Sequence, residues 1–171
     1  MLPTQTHIYE ATVRRVVDGD TLDLNVNLGF GVSIHLRVRL YGIDTYEIHG
    51  VKKHSDEWEK GMAAKQFVEE YLGLEIPSEH NHPYFVLNPN PIIIRSYNGK
   101  AIKKGKYGRW LVEIYVPNKA GSIGARTLNE ALVNAGHTKQ VSKYEYLYSQ
   151  QHKAIETGTT KENTKKDNEE K

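Results

Sequence analysis

Apolar and polar residues alternate along much of the first forty positions, and this pattern predicts β-strands with two distinct faces. Three stretches share the alternation and form a predicted meander: residues 7–17, 21–28 and 32–41. Two later stretches are also strand-like, at residues 91–97 and 109–116. Five short strands, with a helix after the third, predict an α+β fold built on a small closed Greek-key barrel of the OB type.

The spacing of apolar residues changes to three or four after the third strand, which predicts an amphipathic helix over residues 58–72. The sequence Ser55-Asp56-Glu57 precedes it as a capping run, and Gly73 follows it. A second helix is predicted over residues 127–134 and a short third one over residues 144–155. The sequence therefore predicts about three helices around the barrel.

Length and composition indicate one domain over residues 1–156, followed by a polar tail. The tail, residues 157–171, has no apolar residue and balances four lysines against four acidic residues, so we expect it to be disordered. The chain contains no cysteine, which excludes disulfides, thiolate metal sites and cysteine nucleophiles. Catalysis, if present, must use oxygen, nitrogen or a metal ion.

The sequence offers no sign of a membrane location. No stretch approaches the roughly 20 apolar residues of a membrane helix, and the first 15 residues lack the segments of a signal peptide. We therefore expect a soluble monomer, cytoplasmic as the chain stands or secreted if a signal peptide was removed. The net charge of +2 is too small to indicate a polyanionic partner by itself.

Two aspartates at strand ends are the first candidates for chemistry. Continuing the strand alternation places Asp20 and Asp44 on the apolar face and Arg39 on the opposite face. Ionised carboxylates at the rim of a core are costly unless a cation binds them both. With no lysine or arginine expected on that face, the predicted cation is a hard divalent ion held by oxygen atoms. The simpler alternative is a tight turn at residues 18–21 and a strand-end cap at Asp44.

Four sequence strings resemble the staphylococcal nuclease (thermonuclease) family and occur in that family's order within residues 8–140. They are Val16-Val17-Asp18-Gly19-Asp20-Thr21, Arg39-Leu40-Tyr41-Gly42-Ile43-Asp44-Thr45-Tyr46-Glu47, Tyr107-Gly108-Arg109-Trp110-Leu111 and Leu128-Asn129-Glu130-Ala131-Leu132-Val133-Asn134-Ala135-Gly136. The resemblance implies an OB-fold nuclease that uses calcium to hydrolyse DNA and RNA, preferably single-stranded or denatured. It implies little sequence preference, and 3′-phosphate and 5′-hydroxyl ends.

The same resemblance assigns roles to individual residues. Asp20 and Asp44 correspond to the calcium carboxylates, with the backbone carbonyl of Thr45 as a further ligand. Arg39 and Arg109 correspond to a phosphate clamp, a role that suits the planar guanidinium fork. Glu47 corresponds to the general base.

Further residues are expected to contact substrate. Tyr144 matches one tyrosine of the family's nucleotide pocket, and Lys106 and Tyr107 lie next to Arg109 in the sequence. Lys52 and Lys53 fall in the family's mobile loop, where they either contact phosphate or are ordinary solvated lysines. The expected substrate-binding set is Lys52, Lys53, Lys106, Tyr107 and Tyr144.

Two positions depart from the family pattern. Tyr46 stands where the family usually has proline, which loosens the backbone that presents Glu47. Ser142 stands where the family has the second pocket tyrosine, so weaker base stacking is expected there.

Functions other than a nuclease predict different residues from those in the sequence. One alternative is a catalytically weak OB-fold domain that binds nucleic acid or proteins as a scaffold. Such a domain should have lost some of the charged residues to which the resemblance assigns catalytic or metal-binding roles. All five are present: Asp20, Arg39, Asp44, Glu47 and Arg109. A plain single-strand-binding module predicts aromatic residues on the outer strand faces instead. A zinc-nuclease interpretation of Glu79-His80-Asn81-His82 lacks the further ligands, and residues 121–124 predict a turn before a helix rather than a phosphate loop.

Overall fold

The computed structural model describes residues 7–75, 90–96, 110–117 and 123–139. Its elements, in chain order, are β1 (Ile8–Asp18), β2 (Thr21–Gly29), β3 (Val32–Leu40), α1 (Asp56–Tyr71), β4 (Pro91–Ser96), β5 (Trp110–Pro117), β6 (Ile123–Thr127) and α2 (Leu128–Asn134). The strands and helices predicted within these ranges agree with this list to within about two residues at each end.

The strands form one sheet in the order β3-β2-β1-β4-β5-β6, with antiparallel neighbours. A parallel pairing of β3 with β5 joins Val38 to Trp110 and Leu40 to Val112, and so closes the first five strands into a mixed barrel. This architecture is the predicted α+β, OB-like barrel. The short strand β6 was not predicted, because five residues that include a glycine carry no clear alternation.

The barrel interior is filled by the apolar positions of the strand alternation. Leu22, Leu24 and Val38 are among the completely buried side chains. The alternation fails at the far end of the β2–β3 hairpin, where Ile34 is 37% exposed and Val32 is 52% exposed. The reason is that β5 covers β3 only from Val38 to Leu40 within the described residues, so the outer half of the hairpin extends beyond the barrel.

Hydrogen bonds hold helix α2 against the barrel close to the end of β3. Thr127 and Glu130 form a capping box at its first turn. The fully buried Asn129 accepts a hydrogen bond from the Ile114 backbone N–H at 3.2 Å. Its amide nitrogen donates to the Tyr41 carbonyl at 3.1 Å and to the Val112 carbonyl at 3.3 Å. These three bonds satisfy the buried amide and fix α2 against β5 and the turn after β3.

Several expectations fall outside the described residues: the helix over residues 144–155, the tail over residues 157–171, and the boundary between domain and tail. No helix in the described ranges is both long and apolar enough to cross a membrane.

Candidate functional site: carboxylates around Arg39

The candidate site lies where the β1–β2 turn meets the chain leaving β3. The turn residues are Gly19 and Asp20, since Asp18 still pairs with Thr21 in the ladder, so a tight turn spans residues 18–21. Thr21 in turn pairs with Arg39 on β3, and the Asp20 carbonyl accepts a hydrogen bond from Leu40 N–H at 2.8 Å. This register brings the Asp20 and Arg39 side chains together.

One guanidinium nitrogen connects the two candidate carboxylates. Nη2 of Arg39 lies 2.7 Å from Oδ2 of Asp20 and donates a hydrogen bond to Oδ1 of Asp44, also at 2.7 Å. The aspartates come from segments 24 residues apart in the sequence. The structure therefore brings Asp20, Asp44 and Arg39 into a single cluster.

Two parts of the strand-face prediction are wrong. Arg39 was predicted on the face opposite to the carboxylates, but its long side chain extends to both Asp20 and Asp44. The Asp44 side chain is 52% exposed, since β3 ends at Leu40 and the alternation does not continue through the turn that follows. Only Asp20 has the buried position expected of it.

Asp20 is held in one orientation by its neighbours. Its Oδ1 accepts a hydrogen bond from the Thr21 hydroxyl at 2.9 Å, and its Oδ2 accepts one from the Thr45 backbone N–H at 3.1 Å. Burial raises the pKa of Asp20 to about 7, with Arg39 opposing the rise and the nearby Asp18 carboxylate adding to it. A further cation bound next to Asp20 would stabilise the ionised form of this carboxylate.

The raised pKa of Asp20 predicts a pH-dependent stability. The folded chain binds this proton more tightly than the unfolded chain, so the stability contributed by the group is complete below 3.8, the ordinary pKa of an aspartate, and is lost as the pH rises through about 7. In chelator, the free energy of unfolding should therefore fall, relative to Asp20→Asn, by about 2–4 kcal/mol between pH 4 and pH 8. Urea unfolding across that range measures it. A difference independent of pH would contradict the assignment.

Helix α1 packs against the site through two small residues, Gly61 and Ala64. A Cβ atom on Gly61 would lie 2.8 Å from the Tyr46 carbonyl oxygen and 2.9 Å from that of Glu47. One turn along the helix, a Cβ on Gly19 would lie 2.7 Å from Cβ of Ala64. All three distances are shorter than real Cβ contacts allow. The backbone of Tyr46 and Glu47 therefore packs directly against α1 at Gly61. The sequence pattern did not reveal this role of Gly61, because a lone glycine in a helix looks the same whether or not another segment approaches it.

Lys139 is a second residue that the sequence pattern did not reveal. Its backbone N–H donates to the Asp44 carbonyl at 2.8 Å, and its Nζ lies 4.0 Å from Oδ2 of Asp44. No local pattern predicts the contact, because it joins residues that are distant in the sequence.

Three other expected site residues are described by the structure but are not joined to this cluster. In the parts of the chain that the structure describes, no hydrogen bond or ion pair involves the side chains of Glu47, Lys52 or Lys53, and both lysines are exposed. Four further expected residues lie outside the described ranges: Lys106, Tyr107, Arg109 and Tyr144. Trp110, which follows Arg109 in the sequence, pairs with Val38, the neighbour of Arg39.

The donor chemistry of the cluster fits a hard cation. Asp20 and Asp44 offer carboxylate oxygens that already converge on a positive nitrogen, and calcium prefers such oxygen ligands. Within the described ranges, no group of three or more acidic, histidine or cysteine side chains is arranged to hold a metal. A calcium ion here would thus take two carboxylates and depend on backbone carbonyl groups and water for its other ligands.

Comparisons with known proteins leave the activity open. No family model matches the chain. An uncharacterized protein of Methanocaldococcus jannaschii is 30% identical over 159 residues, a match that covers 83% of this chain and 64% of that protein. The chain thus spans less than two thirds of the relative's length, and the relative's name assigns no activity.

Proposed function

We propose that this chain is a calcium-dependent phosphodiesterase of the staphylococcal nuclease type. It hydrolyses single-stranded or denatured DNA and RNA with little sequence preference and leaves 3′-phosphate and 5′-hydroxyl ends. The observation that carries the proposal is the convergence of Asp20 and Asp44 on Nη2 of Arg39, at 2.7 Å each, in an OB-like barrel whose sequence contains the four nuclease-like strings.

The proposal assigns the metal to the two carboxylates. Asp20, Asp44 and the Thr45 carbonyl would hold calcium, which when bound neutralises a phosphate oxygen and orients the attacking water. Hydrogen bonds from the Thr21 hydroxyl and the Thr45 N–H fix the Asp20 carboxylate before any ligand arrives. Little reorganisation of this carboxylate is then needed at the moment of reaction.

The remaining roles belong to the arginines and Glu47. Arg39 presents a permanently charged, planar donor group whose geometry matches two phosphate oxygens. Arg109 would contribute the second guanidinium, and the two together stabilise the charge that develops on phosphorus. The Glu47 carboxylate, on the segment that rests on α1, would accept the proton of the attacking water.

A second candidate function is a scaffold or nucleic-acid-binding domain with little catalysis. One observation favours it: Nη2 of Arg39 already contacts both carboxylates, so the cluster holds a cation without a metal. In that case the arginine–aspartate cluster stabilises the barrel and oligonucleotides bind without being cleaved.

A chelation and add-back assay separates the two functions. With labelled denatured DNA and RNA, we expect a chelator to lower the hydrolysis rate by roughly 10²-fold, and added calcium to restore it, because the developing charge loses a cation. Parallel additions of magnesium and manganese establish the preferred ion. Full hydrolysis in chelator would refute the metal assignment, whereas binding without hydrolysis under every ion would favour the scaffold.

A further inference from the structure

Two lysines from different parts of the chain meet at the ring of Tyr46. Nζ of Lys60, on α1, lies 5.1 Å from the ring centroid, and Nζ of Lys139, beyond α2, lies 5.8 Å from it. Both distances fall within the range of cation–π attraction. Both ammonium groups thus lie within about 6 Å of the centroid of one ring.

The backbone around this ring is fixed on both sides. The Tyr46 carbonyl lies against Gly61 of α1, so the residue cannot shift toward the helix. The backbone N–H of Lys139 donates to the carbonyl of Asp44, two residues before Tyr46. The ring and its two lysines are consequently tied to the same segment that carries Asp44 and Glu47.

The charges of these lysines are only partly compensated. Across the described ranges, no carboxylate lies within ion-pair distance of Lys60. Lys139 approaches Asp44 only to 4.0 Å, and that carboxylate already accepts a much shorter hydrogen bond from Arg39. Beside Tyr46, therefore, Lys60 has no ion-pair partner in the described ranges and Lys139 has only a long contact with Asp44.

We propose that Tyr46, Lys60 and Lys139 form a second phosphate subsite, which binds the phosphate next to the scissile one on the same strand. The inference rests on the proposed function and deepens it, because the subsite makes a substrate with two adjacent phosphates preferable to one with a single phosphate. Tyr46 acts as a positioning residue that aligns the two ammonium groups, and the lysines contact the substrate. The simpler alternative is that the lysine stems only pack on a half-buried ring.

The salt dependence of binding tests this subsite. In chelator and a Glu47→Gln background, so that cleavage does not interfere, fluorescence anisotropy measures the binding of a labelled oligothymidylate over a series of salt concentrations. Lys60→Gln and Lys139→Gln should each weaken binding roughly fivefold and reduce the slope of log K against log salt by about 0.7, the value for one phosphate contact on a single strand. Tyr46→Leu should have a similar effect, whereas Tyr46→Phe, which keeps the ring, should restore the parent slope.

A second comparison uses substrate length. The three weakening variants should bind a trinucleoside diphosphate less tightly than the parent does, and a dinucleoside monophosphate equally well. Lys65→Gln is the matched control, because Lys65 lies on the same helix but pairs with Glu69 at 3.8 Å, and it should leave the slope unchanged.

The outcomes distinguish this inference from the proposed function. Parent-like slopes in both lysine variants, when the chain with Glu47 intact cleaves nucleic acid, would overturn the subsite alone. A chain that binds no oligonucleotide at any salt concentration would overturn the proposed function and the subsite with it.

Discussion

Arg39→Gln should lower the rate of phosphodiester hydrolysis by roughly 10³-fold, since a cationic donor to the transition state is lost. It should also destabilise the fold, because the buried Asp20 carboxylate loses the guanidinium 2.7 Å away and remains beside Asp18. Removing one partner of a buried ion pair typically costs about 3 kcal/mol or more. Initial rates on denatured DNA and urea unfolding at pH 8 measure the two effects.

The stability loss in Arg39→Gln should depend on pH. Arg39 is the main influence that lowers the pKa of Asp20, so without it this pKa rises further above its present value. At pH 5 Asp20 is protonated in both proteins and the difference should shrink. Arg37→Gln is the matched control: Arg37 lies on the same strand, its Nε is 2.6 Å from Asp23, and the Arg37 side chain is 51% exposed. It should alter stability by less than about 1 kcal/mol and leave the rate unchanged. Equal effects of both substitutions would exclude a special role for Arg39.

Gly61→Ala should lower the hydrolysis rate by roughly 10²-fold and destabilise the fold by about 1–3 kcal/mol. The added Cβ would meet the carbonyl oxygens of Tyr46 and Glu47 at 2.8 and 2.9 Å, and backbone oxygens cannot rotate away as side chains do. The segment that carries Glu47 must therefore move off the helix. A displacement of about 1 Å is enough to lose such a factor in rate.

The direction of the Gly61→Ala effect is informative. Alanine is intrinsically a better helix former than glycine by about 1 kcal/mol, so helix propensity alone predicts stabilisation. Ala63→Gly, at an exposed position of α1, measures the propensity term without a clash and should leave the rate unchanged. A stabilised and fully active Gly61→Ala protein would contradict the close packing of α1 against the chain of Glu47.

Burial and the neighbouring Arg39 have opposite effects on the pKa of Asp20. Asp20 is buried and its two oxygens are bound by Thr21 and Thr45, yet its pKa remains well above that of an ordinary aspartate. Such a group binds a proton, a guanidinium or a metal ion in competition with one another. The pH series varies the binding of the proton, the chelation assay that of the metal ion, and Arg39→Gln removes the guanidinium.

Much of the barrel was predictable because strand signals are local. Alternation over β1, β2 and β3 depends only on neighbouring residues, and so does the Ser55 cap of α1. The strand β6 and the exposure of Ile34 were missed. Both depend on which strand lies alongside, which short stretches of sequence do not specify.

The sequence by itself determined the residue types of the site and the place of Asp20 in a turn between two strands, because turn residues and strand boundaries are set by local chemistry. Only the tertiary structure decided that Arg39 reaches both Asp20 and Asp44, and that Gly61 and Lys139 support the chain beside them. These contacts arise from strand register, from the path of the chain after β3 and from the packing of α1. All of them except the Arg39–Asp44 contact join residues that are distant in the sequence. A long side chain such as arginine also escapes the simple two-face rule, because its reach exceeds the spacing between strands.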